Sequence, residues 1–295
     1  MKIFDKMFLS GYYFTIAIKH REKDDIFENH IFNTEYTLKA NLQHWAADPM
    51  LIDYEGKTYM FFEAVDGVKG HIEVCEIKED CSISKPITIL SDDCHYSYPF
   101  VFLHDRNWYM IPESSEANEV RLYKAVEFPY RWEKIAVLLK GKYVDTTIFE
   151  DNYKLYLLTF ETDGVTECVK PRAFKFFLND DNSKLEEIPW TDYDKLQVRG
   201  AGQVIDLGNE LIRPAQISTE HRYGDAVAFY KIDQLDRNYR ENLKSVLHID
   251  DIKINRRYVD GLHTYSVSEK FETVDIRCRD FDFGKILRKI RKKLK

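Results

Sequence analysis

The sequence predicts an all-β protein folded as a five-bladed β-propeller, followed by a short basic amphipathic helix. Three observations predict it. A strand-turn-strand frame recurs about every 50 residues, the repeat length of four-stranded propeller blades. The 295 residues are 44% hydrophobic and 32% charged with 19 Tyr and 19 Phe, which suits a strand-rich globule with a sizeable core and excludes a disordered or fibrous chain. Sustained helical periodicity occurs only at the C-terminal end.

The first element is a strand. Apolar and polar residues alternate through Tyr13-Phe14-Thr15-Ile16-Ala17-Ile18, which places this segment in a sheet and lets it close the ring by joining the last blade. The surrounding apolar run, Met7 to Ile18, is interrupted by Ser10, Gly11 and Thr15 and falls short of the roughly 20 residues that span a bilayer. Lys19, His20, Arg21 and Lys23 follow it directly, where a signal peptide would carry a small-residue cleavage site, so a cytoplasmic location is expected.

The blades come next. Asp48-Pro49-Met50-Leu51-Ile52 leads through a turn at Tyr54-Glu55-Gly56-Lys57 into Thr58 to Glu63. The frame returns as Tyr98 to Phe102, a turn at His104 to Asn107, and Trp108 to Glu113, then as Asp145 to Phe149, Asp151-Asn152-Tyr153, and Leu155 to Leu158. Tyr59, Tyr109 and Tyr156 each stand eleven places after their opener, and Glu63 and Glu113 fifteen. Weaker copies begin at Ala201 and Leu262, so starts at 48, 98, 145, 201 and 262 are spaced by 50, 47, 56 and 61 residues. Runs such as His71 to Ile77 and Val120 to Ala125 supply the outer strands. A β-sandwich is the alternative, since strand counts do not separate radial from layered packing.

The chain divides into a propeller at 1–279 and a tail at 280–295. The tail holds seven Lys/Arg against two Asp, a net of +5, which leaves −12 for the body of a chain whose total is −7. Phe283, Ile286, Leu287, Ile290 and Leu294 recur at helical spacing among the basic residues, the pattern of a helix that lies on an anionic membrane surface or packs on the acidic body. Nucleic acid is not an expected partner, because the body offers no basic face with interleaved aromatics. Cys75, Cys81, Cys94, Cys168 and Cys278 are odd in number and scattered, which suggests neither a disulfide framework nor a zinc site.

In a propeller the residues that open each innermost strand gather at one channel mouth. That brings Asp48, Tyr98, Asp145, Ala201 and Leu262 with His263 together, and each hairpin returns Glu63, Glu113 and Gln216 to the same end. Clustered acids in a cleft suit glycosyl chemistry: a base or nucleophile, a proton donor of raised pKa, and charge to stabilise an oxocarbenium-like transition state. In the fourth blade Arg199, Arg213, Arg222 and His221 concentrate positive charge near Tyr223, Gly200 and Gly202, and guanidinium forks hold phosphate well. Each arginine could equally pair with Asp206, Glu220 or Asp225.

Ala47-Asp48-Pro49 and Val144-Asp145 resemble the five-bladed enzymes of glycoside hydrolase family 43. That resemblance implies base and pKa-tuning roles for the two aspartates and a channel histidine, His263, near a bound cation or water. The fourth blade departs from it: Val198-Arg199-Gly200-Ala201-Gly202 has no carboxylate where that family carries its general acid. Across about Trp45 to Thr264 the chain more closely resembles the propeller domain of the glucosamine inositolphosphorylceramide transferase family and of bacterial surface-polysaccharide proteins. The likeness rests on Ala47-Asp48-Pro49, Tyr98-Pro99-Phe100-Val101, Met110-Ile111-Pro112-Glu113-Ser114, Asp145-Thr146-Thr147, Arg213-Pro214-Ala215-Gln216, Tyr223-Gly224 and Gly261-Leu262-His263-Thr264. The separate glycosyltransferase domain of the plant members is not matched by these residues.

The expected function is a membrane-peripheral, cytoplasmic transferase in surface polysaccharide or glycolipid assembly. A sugar phosphate or nucleotide sugar is the donor, and a glycan or lipid-linked glycan the acceptor. Arg199 and Arg213 hold the phosphate, with Gln216, His221, Arg222, Tyr223, Tyr98 and Glu63 as further substrate contacts. Asp48 or Asp145 acts as base or nucleophile, Glu113 is the second acid, and His263 orients water, hydroxyl or a channel cation. No cofactor is required by the sequence. A glycosidase drawing its proton from Glu113 and a non-catalytic glycan-binding propeller are the alternatives.

Overall fold

A computed structural model of the chain describes residues 9–22, 31–67, 69–92, 94–179, 182–220, 222–256 and 258–281. Five antiparallel sheets follow one another along the chain. Blade 1 comprises His44–Tyr54, Lys57–Asp66, Lys69–Ile77 and Ile87–Leu90; blade 2 comprises Ser97–His104, Asn107–Glu113, Glu119–Glu127 and Arg131–Lys140. Blade 3 comprises Tyr143–Asp151, Lys154–Thr162, Val169–Asn179 and Asn182–Ile188; blade 4 comprises Ile205–Asp206, Leu211–Thr219, Arg222–Gln234 and Arg240–His248. In blade 5, Val259–Gly261 and Tyr265–Val267 pair with Phe271–Phe281, which pairs with Leu9–His20, and that strand with Tyr36–Thr37. The N-terminal strand therefore closes the ring as expected, in an eleven-pair ladder from Leu9↔Phe281 to His20↔Phe271. The last strand runs to Phe281, two residues past the expected boundary; the rest of the tail, with its predicted helix, lies outside the described residues.

The hairpin turns form where the sequence places them. Tyr54 pairs with Lys57, His104 with Asn107 and Asp151 with Lys154, leaving two-residue loops. Both loop residues have positive φ each time: Glu55 and Gly56 at 51° and 76°, Asp105 and Arg106 at 45° and 63°, Asn152 and Tyr153 at 49° and 61°. These are type I′ values, whose twist matches that of the flanking strands.

Packing decides the ring over the sandwich. One buried cluster joins Phe61 of blade 1, Phe100 and Met110 of blade 2 and Leu157 of blade 3. A second joins Tyr156 and Leu158 of blade 3 to Ile232 and Tyr239 of blade 4. A third joins Val227 and Phe229 of blade 4 to Tyr265 and Ile276 of blade 5, and a fourth Ile16 and Ile18 of blade 5 to Leu51 and Met60 of blade 1. Each blade is thus packed on the next all the way round, which two layered sheets cannot do. Just before the first strand of blade 4, Gly202 packs on blade 5 with φ 137°, and a β-carbon there would lie 2.0 Å from the Tyr265 carbonyl oxygen, so only glycine fits.

Candidate active site

A bulge opens the first hairpin of blades 1, 2 and 3. The ladder shifts between Ala47 and Met50, between Ser97 and Phe100, and between Val144 and Thr147. Asp48, Tyr98 and Asp145 occupy equivalent places in these bulges, with φ of 52°, 43° and 50°. Left-handed backbone at a non-glycine residue is strained, and bulges re-aim side chains at functional sites. Opposite them, Glu63 pairs with Ala47 and Glu113 with Ser97, so the far end of each hairpin does return to its opener.

Asp48 sits in a buried hydrogen-bonded group. Its Oδ1 accepts from Thr264 Oγ1 at 2.8 Å and lies 3.5 Å from His263 Nε2, while its Oδ2 accepts the Tyr98 N–H at 3.1 Å. Asp275, which the sequence reading missed, fixes this group from below. Its Oδ1 accepts the N–H groups of His263 and Thr264 at 3.0 and 2.9 Å, and its Oδ2 accepts that of Asp48 at 3.0 Å and lies 2.6 Å from His263 Nδ1. Phe14 stacks on the imidazole at 4.4 Å. Burial pushes Asp48 up to about 7, against the pull of His263 and with the charges of Glu63, Asp275 and Asp145 adding to the rise. Burial also opposes charge on His263, but Asp275 and Asp48 outweigh it and hold the imidazole above its usual range.

Asp145 and Glu113 form the adjoining half. Arg199 Nε donates to Asp145 Oδ2, and its Nη2 lies 3.4 Å from Asp145 Oδ1 and 3.6 Å from Glu113 Oε2. The guanidinium lies over the Tyr223 ring, 4.9 Å from its centroid, and that ring meets His263 edge-on at 4.9 Å. Glu113 Oε1 accepts from Ser115 Oγ at 2.8 Å, and its Oε2 finds no hydrogen-bond donor among the described residues. Burial pushes Glu113 up to about 8, with Asp145 adding to the rise and Arg199 opposing it. The charge of Asp145 is felt at both Asp48 and Glu113, which places the three expected catalytic carboxyls in one electrostatic group. Glu63 joins its edge through His95, whose Nε2 lies 3.0 Å from Glu63 Oε1.

Several expected contacts are corrected. Arg213 does not face the funnel: it is 2% exposed, donates from Nε to Glu241 Oε2 at 2.6 Å and from Nη1 to the Val198 carbonyl at 2.9 Å, and lies among the rings of Phe160, Trp190 and Tyr230. Its partner comes from the outer strand of blade 4, 28 residues along, which short-range reading could not identify. Arg222 pairs with Asp225 at an exposed position, so the three arginines do not converge. Tyr98 is fully buried and braces the channel: its phenol oxygen accepts the Gly202 N–H at 2.8 Å and lies 3.0 Å from Thr147 Oγ1. Gln216 is also fully buried, donating to Asp145 Oδ2 at 3.2 Å and the Gly200 carbonyl at 2.7 Å, and so positions the aspartate rather than touching substrate. His221 lies outside the described residues.

Ligand atoms of Asp48, His263 and Asp275 fall within 4.8 Å of one another, the place where the resemblance implies a cation. Asp275, however, already accepts three N–H groups, the use of a carboxylate that shapes backbone, so this set does not fit a metal held by all three. Volume alone does not mark the site either. A groove of about 950 Å³ lies at the turn ends of blades 3 and 4 among Asp151, Asp206, Glu210 and Asp233, away from these carboxyls.

Comparison with known proteins places the chain in a family. The family described as "Glucosamine inositolphosphorylceramide transferase 1, N-terminal" matches residues 29–272. The chain belongs to it. Glucosamine inositolphosphorylceramide transferase 1 of Oryza sativa subsp. indica is 28% identical over 236 residues, covering 76% of this chain and 31% of the rice protein. The protein of that name from Arabidopsis thaliana is 36% identical over 124 residues, covering 41% of this chain and 16% of its own length. This propeller thus spans less than a third of its plant relatives. Among solved structures, exo-beta-1,3-galactanase of Phanerochaete chrysosporium superposes with a TM-score of 0.55 at 13% identity, covering 68% of this chain and 49% of that one. Alpha-L-arabinofuranosidase of Lactobacillus brevis superposes at 0.52 with 17% identity, covering 75% and 78%. At those identities the likeness is one of fold. Membership fixes the family of the propeller; what chemistry it performs is a matter for its own residues.

Proposed function

We propose that this propeller transfers a glycosyl group bound in its funnel, in the assembly of a cell-surface polysaccharide or glycolipid. The observation that carries the reading is a pair of carboxyls, Asp48 and Glu113, raised to about 7 and about 8 around one ion-paired aspartate. Glycosyl transfer needs an acid near the leaving oxygen and a base or nucleophile across the sugar. Glu113 is protonated at neutral pH and gives its proton to the leaving oxygen. Asp48, partly ionised there, takes the proton of the acceptor hydroxyl or attacks the anomeric carbon. Asp145, held by Arg199 and Gln216, sets the charge between them, and His263 fixes Asp48 and a sugar hydroxyl.

A phosphate-activated donor is the finer reading that the arginines suggested. With Arg213 and Arg222 engaged elsewhere, Arg199 alone of the three faces the funnel, already paired with Asp145 and beside the Glu113 carboxyl. A phosphate also departs without needing a proton from Glu113, so a glycoside donor fits this acid better. For the acceptor, the relatives' name supports an inositolphosphorylceramide-like or other lipid-linked glycan, met at the inner membrane face with the +5 tail as electrostatic anchor.

The test supplies the full chain with oligosaccharides and aryl glycosides, nucleotide sugars and sugar phosphates, with and without a lipid-linked acceptor, and identifies products by mass. Transfer of sugar from a glycoside donor to an acceptor that vanishes in Glu113→Gln supports the reading, whereas release of free sugar alone would make the protein a glycosidase. Turnover confined to phosphorylated donors would restore the phosphate reading, and binding without turnover would make the propeller a glycan-binding module and end the proposal of transfer.

A further inference from the structure

We propose that His20, Glu35 and Cys81 form a zinc-type metal site that fastens blade 5 to blade 1 at the closure of the ring. His20 is the last residue of the closing strand Leu9–His20, Glu35 immediately precedes Tyr36–Thr37 at the edge of the same blade, and Cys81 stands in the turn after Lys69–Ile77 of blade 1. One nitrogen, one oxygen and one sulfur atom thereby meet across the seam, all within 4.8 Å of one another. His20 Nδ1 lies 2.8 Å from Glu35 Oε2 and 3.4 Å from Cys81 Sγ. Zinc bonds of about 2.0–2.3 Å in a tetrahedron set donor atoms roughly 3.3–3.7 Å apart, so small outward shifts of the carboxylate suffice.

The surroundings orient these donors as outer contacts orient metal ligands. His20 Nε2 lies 2.9 Å from the Glu79 carbonyl oxygen, which can only accept, so Nε2 carries the hydrogen and Nδ1 is the atom turned to the cluster. Glu35 Oε1 accepts the His20 N–H at 2.8 Å, which fixes the carboxylate and leaves Oε2 toward the site. Cys81 is fully buried at φ 62°, a left-handed position in a turn where glycine or asparagine would be the ordinary residue. Its thiol, not its backbone, gives that position a purpose. Glu35 and His20 are about half exposed, which leaves a path from solvent and a fourth position for water.

Without metal the group is a proton-sharing cluster. Burial, with the charges of Glu35 and Asp80, pushes the Cys81 thiol up to about 12, so it is protonated. The bond to Glu35 holds His20 above its usual range. Metal binding forms bonds to sulfur, nitrogen and oxygen and releases the thiol proton to solvent, together with the Nδ1 proton wherever the imidazole still carries it. No electron changes hands. A mixed sulfur, nitrogen and oxygen set of this kind selects zinc over calcium or magnesium.

The test titrates the metal-free full chain with cobalt(II) and zinc(II). A thiolate-to-cobalt absorption band saturating at one metal per chain, displaced by zinc and accompanied by a higher melting midpoint, is the expected result. Cys81→Ser should abolish the band, and His20→Ala should weaken binding by more than about 100-fold, beyond the loss typical of an outer contact. Asp48→Asn, which alters the funnel alone, should leave the titration unchanged. Absence of the thiolate band in the wild-type chain, wild-type affinity in Cys81→Ser or His20→Ala, or loss of binding in Asp48→Asn would each overturn the assignment. The first needs no variant to fold.

Discussion

Glu113 Oε2 lies 3.6 Å from Arg199 Nη2, near enough for charge attraction and too far for a hydrogen bond, while the same guanidinium is hydrogen-bonded to Asp145. The two carboxyls therefore differ in kind: Asp145 is ion-paired and Glu113 is pushed up to about 8. One arginine between two acids produces the asymmetry that acid-base chemistry uses.

Arg199→Gln should destabilise the fold by about 3–5 kcal/mol, because Asp145 is 2% exposed and would be left as an uncompensated buried charge. Denaturant midpoints measure the loss. Arg199→Lys should recover part of it, since the charge returns without the fork. Equal midpoints for Gln and wild type would remove the ion pair from the account of the site.

Glu113→Gln should reduce turnover by roughly 10²–10⁴-fold, the usual contribution of a general acid, while the chain folds normally. The neutral amide matches the form of Glu113 that predominates at neutral pH. A wild-type rate in this variant would exclude Glu113 as the proton donor.

Stability should fall as pH rises from about 4 to about 8. Asp48 and Glu113 have folded values of about 7 and about 8, above their unfolded values near 4, so over that window the unfolded chain releases protons that the folded one retains. His263 acts in the same direction: raised in the folded state, it stabilises fully below its unfolded value near 6.5, and that contribution is lost as pH rises through its folded value. Urea midpoints at stepped pH should trace this decline, and the double variant Asp48→Asn with Glu113→Gln should flatten it. Midpoints that climb through the window would contradict the raised values.

Arg213→Ala should cost about 3–5 kcal/mol and leave the rate per folded molecule unchanged, because it strands the buried Glu241 of the outer strand of blade 4 and removes no bond to Asp48, Glu113 or Asp145. The double change Arg213→Met with Glu241→Leu should recover most of the loss. A specific fall in donor affinity in that double variant would return Arg213 to the binding site.

Much of the site was legible because the propeller repeats. Asp48, Tyr98 and Asp145 occupy equivalent places in the frame, and the same bulge with left-handed backbone presents all three. Glu63 and Glu113 followed from hairpin pairing. Asp275 was not legible: it is one of several charged residues in the strand Phe271–Phe281, and its role comes from backbone N–H groups of residues 48, 263 and 264, which no spacing announces. The arginines misled for a related reason. Arg199, Arg213 and Arg222 are close in sequence, but alternation along strands and a partner 28 residues away send Arg213 into the interior.

The amino-acid sequence alone specifies a repeating all-β chain, since a hairpin frame returning at blade length, with turn residues in step, buries its apolar faces against copies of itself; contacts from each blade to the next decided that the copies close into a ring. Only the tertiary structure decided which charged side chains meet. Contacts such as Arg213 with Glu241 inside blade 4, or His20 with Glu35 and Cys81 between blades 5 and 1, join residues far apart in sequence, and their energies depend on distance and burial in space rather than on separation along the chain.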